Sequence, residues 1–288
     1  VNIYIVTYRR PQTQHTLKDI TRSKKVLDRV VFVVDKDEEA IIKRTWPMVK
    51  NVMAVPTEGL SKKRERIFKA AKANGEKKLI MLDDDLYFYH RLNHGKIPKT
   101  PPGTPSVAQP ELTNNEQNQL RRNTPEQTEA IFNDVAALLN HWAHVSISPR
   151  EGNNRLDGAG YPLVLNKRAM RALAFRVDIA TEVFGTKIAR TPVMMDFDMQ
   201  LRLIRAGYDH AMLTMYAQGQ PKTQSKGGCS VYRTTSMQEY TANELAKLHP
   251  GFVSLRQKDN IGGGEFGKRT DVTIHWAKAA ASAPRRKL

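Results

Sequence analysis

The sequence predicts an α/β fold in which a largely parallel sheet is covered by helices on both faces. Three observations predict it. Short, near-continuous apolar runs such as Ile3-Tyr4-Ile5-Val6 and Val30-Val31-Phe32-Val33-Val34 recur through the first third of the chain, and such runs mark strands buried on both sides. Helix-patterned segments separate them, which is the rhythm of parallel strands joined by crossover helices. Polar or acidic residues follow the runs at once, as they do where strands end at a ligand-binding edge.

Each element follows in order. Ile3 to Val6 is the first strand, then the polar turn Thr7-Tyr8-Arg9-Arg10-Pro11, then a helix from about Gln12 to Ser23. Val30 to Val34 is the second strand, ending at Asp35; Lys36 to Lys43 is helical and Val52 to Val55 is the third strand. Ser61 is placed to cap a helix reaching Ala73, with Ile67, Phe68 and Ala71 inward and Asn74-Gly75 as its stop. Leu79 to Leu82 is the fourth strand. Residues 94–123, rich in Pro, Asn, Gln and Thr, break the pattern as a long mobile insertion. Thr124-Pro125-x-Gln127 has the chemistry of a capping box, and Ile131, Val135, Leu138 and Trp142 continue that helix, with Trp142 in the core. Val145 to Ile147 and Leu163 to Leu165 are strands, and Asn166 to about Phe175 is a helix. Met194 to Asp198 opens a further helix buried through Phe197, Leu201 and Ile204 and closed by Gly207, before a strand from Ala211 to Met215. Gln218 to Gly228 and Gly262-Gly263-Gly264 are flexible loops, Val272 to Ile274 is the last strand, and 277–288 is a frayed basic tail. All of it fits one domain, residues 1–276.

Composition narrows the function. The chain of 288 residues carries 46 Lys and Arg against 29 Asp and Glu, a net charge of +17, with 40% hydrophobic residues. That content builds a core, and no apolar run approaches the roughly 20 residues that span a bilayer. The chain starts directly in a strand pattern without signal-peptide regions. The single Cys229 excludes an intrachain disulfide and a multi-cysteine zinc site. A cytoplasmic protein with no membrane partner is the expectation. The positive charge favours a polyanionic partner such as nucleic acid or an acidic polysaccharide, and it is concentrated in Lys62, Lys63, Arg64, Arg66, Lys69, Lys72, Lys77 and Lys78. A generally basic, solubilising surface is the alternative.

Asp83-Asp84-Asp85, closing the run Lys78-Leu79-Ile80-Met81-Leu82, carries the chemistry. Adjacent carboxylates repel one another, so a buried strand that ends in three of them invites a hard divalent cation, Mn2+ or Mg2+, which would in turn hold a nucleotide pyrophosphate. The alternative is a solvated acidic turn.

Together with Thr7-Tyr8-Arg9-Arg10-Pro11, Asp35, Gly59-Leu60-Ser61-Lys62-Lys63-Arg64 and Asp196-Phe197-Asp198-x-x-Leu201-Arg202-x-x-x-Ala206-Gly207-Tyr208, this triplet makes the chain resemble nucleotide-sugar glycosyltransferases of the GT-A fold. The likeness covers roughly residues 1–90 and 160–276. It implies a mixed, mostly parallel Rossmann-like sheet, a UDP-sugar donor and a metal-dependent transfer. In the resemblance Asp85 ligates the metal, Asp83 or Asp84 touches the ribose or the metal shell, and His275 is a third metal ligand or else an exposed strand-end histidine. Asp35 binds uracil or ribose, Arg64 lies near the nucleotide, and Thr7 and Arg9 line the donor pocket. Asp196 takes the position of the general base of an inverting enzyme, although Met195 replaces the usual preceding acid. Asp198 is a helix cap.

The basic charge favours DNA as acceptor, by similarity to the phage and base J-type transferases that glycosylate hydroxymethylated pyrimidines; for a phage-encoded enzyme the compartment is the host cytoplasm. Lys222, Lys226 and Arg233 are candidate DNA contacts, with Arg121 and Arg122 as a second set, or else all five are solvated loop residues. The competing readings are a polysaccharide or other non-DNA acceptor, a nucleotidyltransferase, and a non-catalytic nucleic-acid-binding protein. Thr7 to Pro11 contains no glycine, which counts against the nucleotidyltransferase.

Overall fold

The structure, a computed structural model, describes residues 1–92, 119–150, 163–221, 228–259 and 267–288. Strands β1 (Asn2–Val6), β2 (Val30–Asp35), β3 (Asn51–Val55) and β4 (Lys78–Asp83) run parallel in the order β3-β2-β1-β4. Ile3 pairs with Val30 on one side and Ile80 on the other. That register sends Ile3, Ile5, Phe32, Val34, Ile80 and Leu82 to one buried face, and Tyr4, Val6, Val33, Leu79 and Met81 to the opposite one. Burial on both faces is why these strands read as continuous apolar runs.

Beyond β4 the sheet continues through strands whose sequence order is scrambled. They are β9 (Ala172–Arg176), β7 (His144–Pro149), β10 (His210–Gly219), β5 (Tyr87–Arg91) and β6 (Leu120–Arg122), with β8 (Leu163–Leu165) also paired to β10. β10 is parallel to β7, whereas β9, β5, β6 and β8 pair antiparallel with their neighbours, so the sheet is mixed. Helices α1 (His15–Ile20), α2 (Lys24–Leu27), α3 (Glu39–Thr45), α4 (Leu60–Ala73), α5 (Pro125–Leu138), α6 (Val177–Phe184) and α7 (Met195–Arg205) accompany it. Leu17, Ile20, Ile131 and Val135 bury on one face of the sheet, and Ile67, Phe68, Phe184 and Met199 on the other. A third cluster lies outside α7. There Phe197, Leu201 and Ile204 meet α8 (Thr235–Leu248), the antiparallel hairpin β11 (Val253–Asp259) and β12 (Lys268–Ile274), and α9 (Trp276–Ala281). Among the described residues no helix is long and apolar enough to cross a membrane.

Several expectations change. Residues 166–175 are not a helix; they lead into β9, where Leu173 and Phe175 fill one core cluster and Ala172 and Ala174 the other. That alternation has the period of a strand. Phe175 is fully buried, 5.2 Å from the Phe68 ring and stacked 4.2 Å from His144; truncating it to alanine would cost about 3–5 kcal/mol. The cap of α4 is Gly59, and the Ser61 hydroxyl instead donates to the Pro192 carbonyl at 2.8 Å. The first helix is shorter than expected, His15–Ile20, with a separate short one beyond it at Lys24–Leu27, and the capping box at Thr124 and Gln127 is present as read. Of the expected insertion, the end pairs with β5 as β6. Residues 93–118 and the triple glycine lie outside the described residues. The tail is not frayed: α9 packs on the third cluster, and the Arg286 amide donates to the Gly207 carbonyl at 2.9 Å. Gly207 closes α7 at φ +93°, where a Cβ would meet the Pro284 carbonyl at 2.5 Å, so only glycine fits.

Candidate active site

The site grows from the pairing of Val6 with Asp83, which sets the chain after β1 beside the chain after β4. The Thr7 hydroxyl donates to Asp84 Oδ2 at 2.6 Å and accepts from Gln14 Nε2 at 3.0 Å. Arg10 Nη1 reaches Asp84 Oδ1 at 3.2 Å and Asp85 Oδ2 at 2.9 Å. Arg64, one turn into α4, donates Nη2 to Asp83 Oδ1 at 2.5 Å. Guanidiniums therefore bridge the triplet that would otherwise repel itself. They do not cancel it: burial, then the Asp85 charge, pushes Asp84 up to about 7 against the pull of Arg10. Burial also raises Asp83, with Arg64 opposing.

Lys63 sits under this floor, wholly buried. Its Nζ donates to the Thr7 carbonyl at 2.7 Å and pairs with Asp35 Oδ1 at 2.7 Å. Burial draws its pKa down and Asp35 opposes that shift. Asp35 itself has no exposure, so its carboxylate contacts Lys63 rather than an open pocket. Arg9, exposed, holds a left-handed φ of 54°, with its guanidinium on Asp37 at 2.6 Å and its amide donating to Glu38 Oε2 at 3.3 Å.

Met194, at φ 56°, is the N-cap of α7. Asp196 in its first turn is half-buried, and among the described residues its carboxylate has no hydrogen bond or ion pair. Asp198 differs entirely. It is fully buried, paired with Arg190 and with His249 Nε2 at 2.8 Å, with Arg202 at 3.7 Å. Burial pushes Asp198 up, but His249 and Arg190 outweigh it and hold the carboxyl below its ordinary range. Asp198 is thus a structural hub, not a cap. Arg171 and Arg168 join the two acidic places. The Arg171 carbonyl accepts from the Asp83 amide at 3.0 Å, its charge acts on Asp83 and on Arg168, and the strongest attraction on Arg168 comes from Asp196. Arg9, Arg171 and Met194 are three of the four non-glycine residues with positive φ among the described residues. Strain of this kind gathers at functional sites.

The other expected residues scatter. His275 is exposed at the start of α9, its Nε2 3.2 Å from the Ser254 hydroxyl. Among the described residues no three His, Cys, Asp or Glu side chains cluster as metal ligands, so His275 does not join Asp83 and Asp85; the β11–β12 hairpin carries it elsewhere. Arg233 is pinned to Gln238 Oε1 at 2.9 and 2.5 Å, and Lys222 and Lys226 lie outside the described residues. Arg121 is exposed on β6, and Arg122 pairs with Asp19. The basic run on α4 is not a free stripe: Lys62 and Lys69 pair with Glu65, and Arg66 with Glu58. Lys63 and Arg168 were missed because a buried or half-buried cation in a basic run looks like its solvated neighbours. The clue to Arg171 was the period-two alternation of the β9 residues after it.

Comparison with known proteins follows from this geometry. The family model described as TET-Associated Glycosyltransferase matches residues 1–228. Residues 1–349 of S. aureus TarS, solved in complex with UDP-GlcNAc, superpose with a TM-score of 0.50 at 13% identity, over 85% of this chain and 66% of that one. The chain thus spans just under two thirds of the TarS segment. A mycobacterial protein aligns over 95% of this chain and 84% of its own, with 11% identity and a TM-score of 0.46. No curated protein matches in a sequence search. The fold is of the GT-A type, a single α/β unit with a mixed sheet.

Proposed function

This chain belongs to the TET-associated glycosyltransferase family, and from that premise we propose that it moves a sugar from a UDP-sugar to a hydroxyl of 5-hydroxymethylpyrimidine in DNA, a phage-type DNA modification. The observation that carries the reading is the acid triplet at the end of β4, held by Thr7, Arg10 and Arg64 and linked through Arg171 and Arg168 to the unpartnered Asp196. Thr7, Arg9, Arg64, Asp83 and Asp84 line the donor side, and Asp35 acts through Lys63. UDP-GlcNAc in the TarS structure supports a UDP-sugar as donor, and the net charge of +17 supports a polyanionic acceptor.

Asp85 and Asp83 are the residues that would hold Mn2+ or Mg2+, because such cations take one or two carboxylates and complete their shell with phosphate oxygens and water. The donor set fits in type: Asp83 and Asp85 offer hard carboxylate oxygens, of which Arg64 holds Asp83 Oδ1 and Arg10 holds Asp85 Oδ2. A bound cation there supplies charge stabilisation for the departing diphosphate. Arg10 and Arg64 contribute in the same sense from the protein. Asp196 accepts the acceptor's hydroxyl proton as the new bond to the sugar's anomeric carbon forms. The bond from that carbon to UDP breaks, and its electron pair leaves with UDP. Attack from the face opposite UDP inverts the anomeric centre.

The test is nucleoside mass spectrometry on hydroxymethylcytosine- or hydroxymethyluracil-containing DNA incubated with the protein, Mn2+ and a mixture of UDP-sugars. A hexose- or pentose-sized gain on the modified base is the expected result. UDP release without that gain would keep the transferase and remove DNA as acceptor.

A further inference from the structure

The chain leaving the acid triplet enters β5, and alternation along a strand puts Tyr87 and Tyr89 on one face. The opposite face is core, where Phe88 meets Phe132 at 5.4 Å. Two guanidiniums lie over the tyrosines: Arg122 at 4.4 Å from the Tyr87 ring and 5.2 Å from the Tyr89 ring, and Arg150 at 4.7 Å from the Tyr89 ring. Both are fixed in place. Asp19 pairs with Arg122 and also accepts the Phe88 amide at 2.8 Å, while Arg150 donates to the Tyr89 hydroxyl at 2.9 Å. The His15 ring holds the Tyr87 hydroxyl at 2.6 Å. A solvated ion pair does not need two aromatic rings beneath it, and the Arg122 side chain remains 42% exposed.

From this we infer that the Tyr87–Tyr89 face of β5, with Arg122 and Arg150 laid across it, is a stacking platform for unpaired bases of the acceptor nucleic acid. The inference rests on the proposed transfer to DNA and adds the surface that holds the strand. Unpaired bases stack on aromatic rings and on guanidinium planes, while the same guanidiniums attract phosphates. Platform and acids are adjacent in the chain, since Tyr87 stands two residues after Asp85. A base taken out of its stack for chemistry on its substituent needs such a neighbour, because its own partners are lost.

The experiment is fluorescence anisotropy with the full chain and a labelled single-stranded oligonucleotide, run beside the mass-spectrometric transfer assay. Tyr87→Ala with Tyr89→Ala should weaken binding roughly 5- to 100-fold, the range of losing one or two stacked bases, with little change in the salt slope. The double Phe variant should bind as the wild type does. Arg150→Gln should lower the salt slope by somewhat under one unit. If the double alanine variant does not melt cooperatively, Tyr89→Ala alone replaces it. An unchanged affinity in the alanine variant, or wild-type binding displaced equally by inorganic polyphosphate, overturns the platform. Wild-type transfer to DNA alongside an unchanged alanine variant removes the platform and leaves the function. Absence of transfer by the wild type removes the function itself.

Discussion

The two acidic places flanking Arg171 and Arg168 are built on opposite plans. At the end of β4 each of three carboxylates has a cation: Arg64 for Asp83, and Arg10 for both Asp84 and Asp85. At the start of α7, two aspartates a residue apart divide the work, with Asp198 taking Arg190, His249 and Arg202 and Asp196 making no ion pair among the described residues. The contrast teaches that charge count does not identify a reactive carboxylate. Asp198, saturated by Arg190, His249 and Arg202, is held in shape and its basicity is lowered. A carboxylate left without partners beside a ligand edge is available for proton transfer.

The largest expected effect breaks the comparison at Asp196. Asp196→Asn should lower kcat by about 10²- to 10⁴-fold, the usual worth of a positioned general base, while UDP affinity measured by calorimetry stays near the wild-type value. Near-normal turnover would exclude Asp196 as the base. Asp198 should behave in the reverse way. Asp198→Ala leaves Arg190 and His249 without their buried partner and should cost about 3–5 kcal/mol of stability in urea unfolding. Asp196→Ala should stay within about 0.5–1 kcal/mol. If both alanine variants lose the same stability, the division of labour is wrong.

What the sequence made legible follows the same physics. Strands β1 to β4 could be read because burial on both faces makes them apolar throughout, and Asp83 to Asp85 because crowding is visible in adjacent letters. β9 was hidden by Ala172 and Ala174, small residues that look helical although they alternate with Leu173 and Phe175. β5 was passed over despite Tyr87, Phe88 and Tyr89, which favour strands. The roles of Asp196 and Asp198 could not be separated locally, because Arg190 and His249 approach from other elements. Lys63 and Asp35 raise the same difficulty: nothing in the run Lys62-Lys63-Arg64 says which cation turns inward, and the fold decides it by setting Lys63 under Thr7.

A smaller effect sharpens the triplet side through pH. Asp84 titrates near 7 in the folded chain, raised first by burial and next by Asp85, against about 3.9 for an unfolded aspartate. Between those values the folded state binds the extra proton. Its contribution is therefore fully present below about pH 4, declines as pH rises, and levels off above about pH 7. Asp84→Asn removes the titration, so its stability relative to wild type should rise from pH 4 to pH 7 and then stay flat. Urea melts of the two proteins across that range check it, and the difference cancels groups common to both. A difference that does not move with pH would mean that Arg10 fully compensates the buried charge.

The smallest effect concerns the competition between protein and metal for Asp85. Arg10 occupies Asp85 Oδ2 at 2.9 Å, the same carboxylate proposed as the cation's ligand. If the guanidinium and the cation compete, Arg10→Gln should tighten Mn2+ binding by about tenfold, the scale of a unit charge roughly 6 Å from a divalent cation at a dielectric of about 80. Electron paramagnetic resonance of free Mn2+ reads this directly without turnover. Weaker binding in the variant would give Arg10 the other role, in which it pulls Asp84 and Asp85 into position and the cation joins a cluster already arranged. Asp196 supplies the control, since among the described residues no guanidinium is hydrogen-bonded to it and Asp196→Asn should leave the Mn2+ titration where it was. A shift there would show that the two acidic places share their charge, and the contrast between them would have to be redrawn as one coupled site.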